Sequence, residues 1–522
     1  MMDDKPPATA GPGLARAAAL IVALTLVSRG LGFLRDVIIA WAFGASAATD
    51  AYMVAYTFPY FLQSVLGVAL VTVMVPVVSR YLTEERREEA WSVSSSVVNI
   101  MALFFALVTV GGILAADPLV RGLAPGFDLR QAQLAAELTR IMFPSLVFVG
   151  VGMLLSGVLN AGWQFGLPAL APGMANAVMI LAVLLFGSRY FIHALAWGTL
   201  AGFAAFFWTQ WPGLKRLGFG YRWRWEFRHP EVRKVLGHVP NVVFAVAVNQ
   251  IYLAMNRFIA SGLAPGSITA LDLAFRVINL PVAVFATSLS TALFPAFSRQ
   301  AARADLEGLG ASTLKSLCAL MVIMVPLSVA TALLHEPLVR LIFQRGVFGS
   351  AGTALTGTAL FYFSFGLAGL GAGLLLTRAC YALAEVRVPT LAALASVGVN
   401  AALSPLLAQS LGHGGLALAN SLAATVNAAL IFYGLSRRLP ALRPCPVLAT
   451  LARALGACIL PAAMVSLGLH FWPARGLGPA ALALEVTLLV LAASGLYLAV
   501  ARAMHLPGID WLSRLRPGQR SW

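Results

Sequence analysis

Charge is what this 522-residue chain has least of. Only 11% of its residues are Asp, Glu, Lys or Arg, against about 25% in an ordinary soluble domain. Lysine occurs at just four positions, Lys5, Lys215, Lys234 and Lys315, and none follows a glycine. That excludes a G-x-x-x-x-G-K-[ST] phosphate loop, and with it ATP-driven work by this chain alone. The four cysteines, Cys318, Cys380, Cys445 and Cys458, show no C-x-x-C spacing and lie in or near apolar stretches. Neither a disulfide framework nor a zinc site is expected from them. No H-E-x-x-H occurs either: His335-Glu336 is followed by Pro337, with no second histidine at the needed distance.

Apolar residues fill the space that charge leaves. They make up 60% of the chain, with a mean hydropathy of +0.84, more than a soluble core can hide. They cluster in runs of about 20, the length that crosses a ~30 Å hydrocarbon layer as helix. Many of the 47 glycines and 28 prolines lie inside those runs, as membrane helices allow. The expected fold is an all-α, polytopic membrane protein with about 14 transmembrane helices. They are placed at 17–42, 50–78, 91–116, 139–160, 167–187, 191–214, 235–262, 272–298, 313–334, 354–383, 389–409, 414–436, 449–471 and 477–502. Residues 1–15 read as a short cytoplasmic tail, and the long run after them as a retained first helix without a signal-peptide cleavage site.

Basic residues set the orientation. With the N-terminus inside, the cytoplasmic tails and connections hold 24 of the 36 Lys and Arg, the opposite loops seven, and the spans five. Both termini are therefore expected in the cytoplasm. The densest cytoplasmic stretch contains Tyr221-Arg-Trp-Arg-Trp-Glu-Phe-Arg-His229. Aromatics interleaved with arginines can mark a nucleic-acid surface. Flanked by two membrane spans, this one reads as an interfacial segment against anionic headgroups, and no nucleic-acid partner is expected.

The chain also carries an internal duplication. Arg35, Asp50 and Pro59 recur as Arg257, Asp272 and Pro281, each 222 residues later. Thr72, Pro76, Ser79 and Arg80 recur as Thr291, Pro295, Ser298 and Arg299 at an offset of 219, and Ala161 and Pro168 as Ala382 and Pro389 at 221. An ordered series at near-constant offset implies two six-helix lobes, 16–220 and 235–440. A basic linker at 221–234 joins them, a two-helix extension follows at 441–502, and a cytoplasmic tail closes the chain at 503–522. Six is even, so the lobes should be parallel repeats, an architecture of carriers that rock two halves around a central site.

A charge in mid-bilayer costs roughly 2.5–3.5 kcal/mol on insertion scales, so it should face a cavity or a partner. Arg29, Arg35 and Asp36 all fall in the first span. Arg29 and Asp36, seven apart, share a helical face and are expected either to pair or to line a cavity; Arg35 lies on another face. Asp50 and Asp272 sit at helix starts, where an N-cap and a functional site are both open readings. Arg276 is four residues after Asp272, at ion-pair spacing, and is also placed to present a cation to the space between the lobes. Arg257 and Arg378, near span ends, are expected to snorkel to the interface. Surplus intramembrane arginine favours an anionic cargo such as a phosphate or pyrophosphate, which Arg binds bidentately. Asn249, Asn400 and Asn420 lie in second-lobe spans and are candidates either for Na⁺ coordination or for helix–helix hydrogen bonds.

Ser28-Arg-Gly-Leu-Gly-Phe-Leu-Arg-Asp36, Phe43-Gly44-Ala45 and Thr49-Asp50-Ala51 resemble the opening of the MurJ/MviN family. Asn249-Gln250-Ile251, Ala274-Phe275-Arg276-Val277, Leu293-Phe294-Pro295, Phe343-Gln-Arg-Gly-Val-Phe348 and Arg378-Ala-Cys-Tyr-Ala382 are similar to its later segments. The resemblance covers about 15–440. It implies a lipid II flippase of the multidrug/oligosaccharidyl-lipid/polysaccharide exporter superfamily, serving peptidoglycan synthesis in the bacterial cytoplasmic membrane. It also implies that Arg29, Arg35, Asp50 and Arg276 meet the pyrophosphate-linked headgroup, with Asp36, Arg257 and Asp272 in support. The last two helices would form a groove for the polyprenyl tail. The partners implied are lipid II or a similar polyprenyl-pyrophosphate glycolipid, membrane lipids and cell-wall synthesis proteins. No cofactor is implied, and Na⁺ or the membrane potential are the candidate driving forces. The chain departs from the family pattern at Gln63, Ser64 and Val68, where relatives carry two arginines and a glutamate. A flippase for another polyprenyl-linked glycan, a cation-coupled drug exporter of the same superfamily, and a non-transporting scaffold are the alternative readings.

Overall fold

The computed structural model describes residues 12–471 and 478–506; the first part of the N-terminal tail and most of the C-terminal tail lie outside them. Every regular element among the described residues is helical. In chain order the first are α1 (Pro12–Phe43), α2 (Ala47–Thr83), α3 (Arg87–Leu114), α4 (Ala116–Leu123), α5 (Leu129–Met142), α6 (Ser145–Ala161), α7 (Gly166–Tyr190), α8 (Ile192–Trp208), α9 (Trp211–Leu217) and α10 (Pro230–Ala260). There follow α11 (Ser267–Pro281), a π-helical turn (Val282–Thr287), α12 (Ser288–Ala302), α13 (Leu306–Leu333), α14 (His335–Phe343), α15 (Ser350–Ser364) and α16 (Leu367–Ala382). The last are α17 (Arg387–Leu411), α18 (His413–Ser436), α19 (Pro444–Phe471) and α20 (Pro479–Ala503).

Nine helical stretches among the described residues are long and apolar enough to cross a membrane, or eleven if two bent pairs each count as one span. The expected fourteen is reached only by adding α1, α2 and α10, which run to 32, 37 and 31 residues. The bent pairs are α5 with α6, broken by 42°, and α15 with α16, broken by 50°; each falls where a single continuous span was expected. The first break sits at Pro144, which has no backbone donor and so interrupts the i to i−4 ladder there, while Phe143 before it keeps helical angles. The second sits at Gly366, where an added Cβ would lie 2.6 Å from Ser421 Cα on α18; a close approach of two backbones replaces a side chain there. In the α11–α12 span, Pro281 removes a donor and the chain widens into the π turn just beyond it.

The chain divides into two compact units, Met1–Phe258 and Ile259–Trp522. In the first, α1 packs on α7, α2 on α5 and α6, α3 on α6, and α7 on α8. In the second, α11 packs on α15, α13 on α16, and α17 on α18, while the extension attaches through α19 on α13 and α20 on α14. The pairings of α2 with α5, α3 with α6 and α7 with α8 thus recur as α11 with α15, α13 with α16 and α17 with α18. A core of Leu70, Met74, Val97, Phe105, Leu154 and Val158 fastens α2, α3 and α6.

The turns repeat as closely as the helices. Left-handed backbone occurs at Gly44 and Gly266, at Glu85 and Ala304, at Trp163 and Ala384, and at Phe191 and Gly412. Those four pairs carry the offsets 222, 219, 221 and 221 already seen in the sequence matches. In the last pair, Phe191 takes φ 47°, ψ −134° and Gly412 takes φ 56°, ψ −135°. A Cβ is strained in that region and glycine is not. Phe191 is 70% exposed, so its ring contributes little packing. Phe191→Gly is therefore expected to stabilise the protein by about 1 kcal/mol, read as a rise in melting temperature in detergent. An unchanged or lower value would show that the ring compensates for the strain.

Candidate functional site

The densest buried polar cluster among the expected site residues lies in the first unit, where α1, α2 and α7 meet. Small residues let α1 and α7 close up. Ser28 Oγ donates to Ala169 O at 2.7 Å, a Cβ on Gly173 would meet that hydroxyl at 2.8 Å, and one on Gly32 would meet Asn176 Nδ2 at 3.3 Å. One turn further along α1, Arg35 is buried and reaches across. Its Nε and Nη2 donate to Asp36 Oδ1 at 3.0 and 2.8 Å, and its Nη1 to Asn176 Oδ1 at 3.0 Å. Its guanidinium also lies 5.9 Å from the ring centre of Tyr56 on α2.

Tyr56 belongs to a ladder. Tyr52, Tyr56 and Tyr60 fall at i, i+4 and i+8 on α2, with ring centres 5.7 and 6.1 Å apart. Tyr52 is buried and shares a 2.9 Å hydrogen bond with Thr199 on α8, while Tyr60 is 41% exposed. Between them Thr57 accepts a hydrogen bond from Arg257 on α10. Asn176, Thr57 and the tyrosine ladder were missing from the expected site. The i, i+4, i+8 spacing of the tyrosines was the available signal.

Several expected placements change. Arg29 and Asp36 do not pair: Arg29 is exposed on α1, and Asp36, 4% exposed, is held by its neighbour Arg35. A long guanidinium arm can fold back to the next residue, which helical-face geometry alone does not anticipate. Asp50 is not the cap of α2. Ser46 is, with Thr49 completing a reciprocal capping box, and Asp50 is buried one turn inside. Arg257 does not snorkel; it is 5% exposed. Its equivalent Arg35 has Asp36 beside it, whereas Arg257 is followed by Phe258, and one of its hydrogen bonds goes to the Thr57 hydroxyl on α2.

In the second unit, Arg276 Nε donates to Asp272 Oδ2 at 2.7 Å, the expected i,i+4 pair on α11, with side chains 29% and 22% exposed. Asp272 lies well inside α11, whose N-cap is Gly266, so it is not a cap. Arg378 stacks 5.7 Å from the ring centre of Phe294. Asn400 is buried and accepts from Ser404 at 3.3 Å, both on α17. Asn420 is half-buried on α18, and the side chain of Asn249 lies outside the described residues. Gln63 and Ser64, in the places of the family arginines, are half-buried on α2, and Ser64 Oγ is turned to Phe61 O at 3.0 Å. Among the described residues no group of three or more His, Cys, Asp or Glu side chains is gathered as for a metal ion. What the arrangement offers is guanidinium in a low-dielectric setting, suited to hold an anion by charge-assisted hydrogen bonds.

The model of the family "Lipid II flippase MurJ" matches residues 39–484. The matched stretch starts just after the Ser28–Asp36 motif and runs on through α19. Lipid II flippase MurJ of Burkholderia cenocepacia is 31% identical over 434 residues, which are 81% of this chain and 84% of that protein. Among solved structures, a lipid II flippase MurJ in an inward closed conformation is similar with a TM-score of 0.77 at 23% identity, over 93% of this chain and 99% of that one. An inward-facing multidrug resistance MATE transporter is similar with a TM-score of 0.65 at 15% identity, over 81% of this chain and 98% of that one.

Proposed function

The chain belongs to the lipid II flippase MurJ family, and from that premise we propose how its own residues serve the transfer of lipid II between leaflets. It is a transporter and not an enzyme, acting by alternating access without covalent chemistry. The cargo moves from the inner to the outer leaflet of the bacterial cytoplasmic membrane, with both termini of the chain in the cytoplasm. Arg35 carries the reading: a buried guanidinium, oriented by Asp36 and Asn176, is set to meet the diphosphate where water competes poorly. Arg29, Asp50 and Arg276 are further headgroup contacts, each within its own unit, and Asp36, Arg257 and Asp272 support them. The polyprenyl tail stays in lipid and follows α19 and α20. Where relatives use two arginines this chain uses Gln63 and Ser64, so the neutral donors of α2, Tyr60 among them, take over contacts to the sugar and peptide.

The test is rescue of a bacterium depleted of its own lipid II flippase, with a leaflet assay for lipid II on the same cells. Growth with lipid II reaching the outer leaflet is the expected result. No rescue by a protein shown to be folded and inserted would redirect the assignment to another polyprenyl-linked cargo.

A further inference from the structure

The linker between α9 and α10 is folded in a way that the flipping mechanism does not use. Its backbone is not left to water. Arg222 N donates to Ser95 Oγ at 3.0 Å, Asn99 Nδ2 donates to the carbonyls of Arg224 at 2.9 Å and Arg222 at 3.5 Å, and Tyr221 Oη donates to Asn99 Oδ1 at 2.6 Å. Ser92, Ser95 and Asn99 form one polar stripe of α3, at i, i+3 and i+7. The carbonyls on either side of residue 223 therefore converge on Asn99, which makes Trp223 the tip of a loop that descends along α3 and returns.

The charges run the other way. Arg222 reaches Glu88 at 3.1 Å, in the first turn of α3, and Arg224 reaches Glu226 at 2.9 Å and Ser92 at 3.3 Å. Glu88 and Asn99 are eleven residues apart, about 16 Å along the helix axis. So the guanidinium of Arg222 points back toward the start of α3 while its backbone sits at the level of Asn99. The aromatic side chains stay outside: Trp223 is 74% exposed, Phe227 51% and Trp225 37%. Trp225 bridges the other two, 5.6 Å from Trp223 and 6.2 Å from Phe227 between ring centres.

An exposed aromatic ladder whose flanking charges retreat from the tip is the geometry of a wedge in a membrane interface. We infer that residues 221–227 are a lipid-binding wedge: Trp223 lies at the headgroup–acyl boundary of the cytoplasmic leaflet, and Arg222 and Arg224 stay at the phosphate level. The occupant is the bilayer itself. The segment joins two helices of a membrane-spanning chain, and the exposed Lys215, Arg216, Arg228 and Arg233 around it complement anionic headgroups. The arginines nearest the tip are engaged with Glu88 and Glu226, so the aromatic rings, not those charges, set the depth.

The experiment uses the full chain in nanodiscs of phosphatidylethanolamine and phosphatidylglycerol. Exposed Cys445 is replaced by Ser, and a nitroxide is attached through Trp223→Cys or, in a separate protein, Arg216→Cys. Oxygen is expected to relax the label at 223 far better than a water-soluble nickel chelate does, placing it about 5 Å or more below the phosphates. The label at 216 should show the reverse. If Trp223→Cys folds poorly, Trp225→Cys should show the same protection. Adding Asn99→Ala should lift the label at 223 toward water without unfolding the protein. Equal access of the nickel chelate to 223 and 216 would overturn the wedge. Protection of 223 that appears only after membrane-protein extract is added would overturn it in favour of a protein partner.

Discussion

Arg35→Ala is expected to abolish rescue of flippase-depleted cells and to lower stability by about 3–5 kcal/mol, the range for breaking a buried ion pair from one side. Its Nε and Nη2 both donate to Asp36, a carboxylate 4% exposed, and alanine removes that partner while leaving the carboxylate inside. The two losses can be separated. Asp36→Asn added to Arg35→Ala removes the charge left behind, so the double variant should regain much of its melting temperature in detergent and still fail to flip. Rescue by the single variant at normal expression would end the assignment of Arg35 to the headgroup. A double variant that recovered both properties would make the pair purely structural.

A second large structural effect is expected from one methyl group. A Cβ on Gly415 would lie 2.2 Å from the carbonyl oxygen and 2.3 Å from the carbonyl carbon of Leu407. That is where α18 turns back against α17 through the left-handed Gly412. The obstacle is backbone, so no rotamer change relieves it, and overpacking of this kind costs about 1–3 kcal/mol or more. Gly415→Ala should therefore lower the melting temperature sharply and reduce the amount inserted. Gly398→Ala on α17 is the control. Nothing lies within 4 Å of its added methyl, so helix propensity should make it neutral or stabilising by about 1 kcal/mol. Equal effects from the two substitutions would show that the α17–α18 contact yields without cost.

What the sequence made legible depended on how far each signal reaches. Apolar runs and their near-constant offsets are properties of whole segments, and both survive in the helices and in the paired left-handed turns. The Asp272–Arg276 pair was readable because its spacing is local to one helix. The misplacements share a cause: each needed knowledge of what packs alongside. Arg257 was expected at the interface because α2 and its Thr57 could not be seen beside it. Asp50 looked like a helix start because the cap four residues earlier is built by Ser46 and Thr49 in reciprocal bonds. Ser92 and Ser95 of α3 drew no expectation from the sequence. They are the surface on which an irregular linker satisfies its backbone, a pairing 120 to 130 residues apart in the chain.

The division at Phe258 has a consequence for how this chain could be built. The duplicated pattern makes α10 the first helix of the second copy, through Arg257 at the place of Arg35. Yet the compact units part at the far end of α10, and Arg257 is bonded to Thr57 of the first copy. The stretch that was copied and the stretch that packs together are out of phase by one helix. Two halves separated at the ancestral joint, in the 221–229 linker, would tear a helix from the body it is packed with; a cut after Ala260 would leave each body whole.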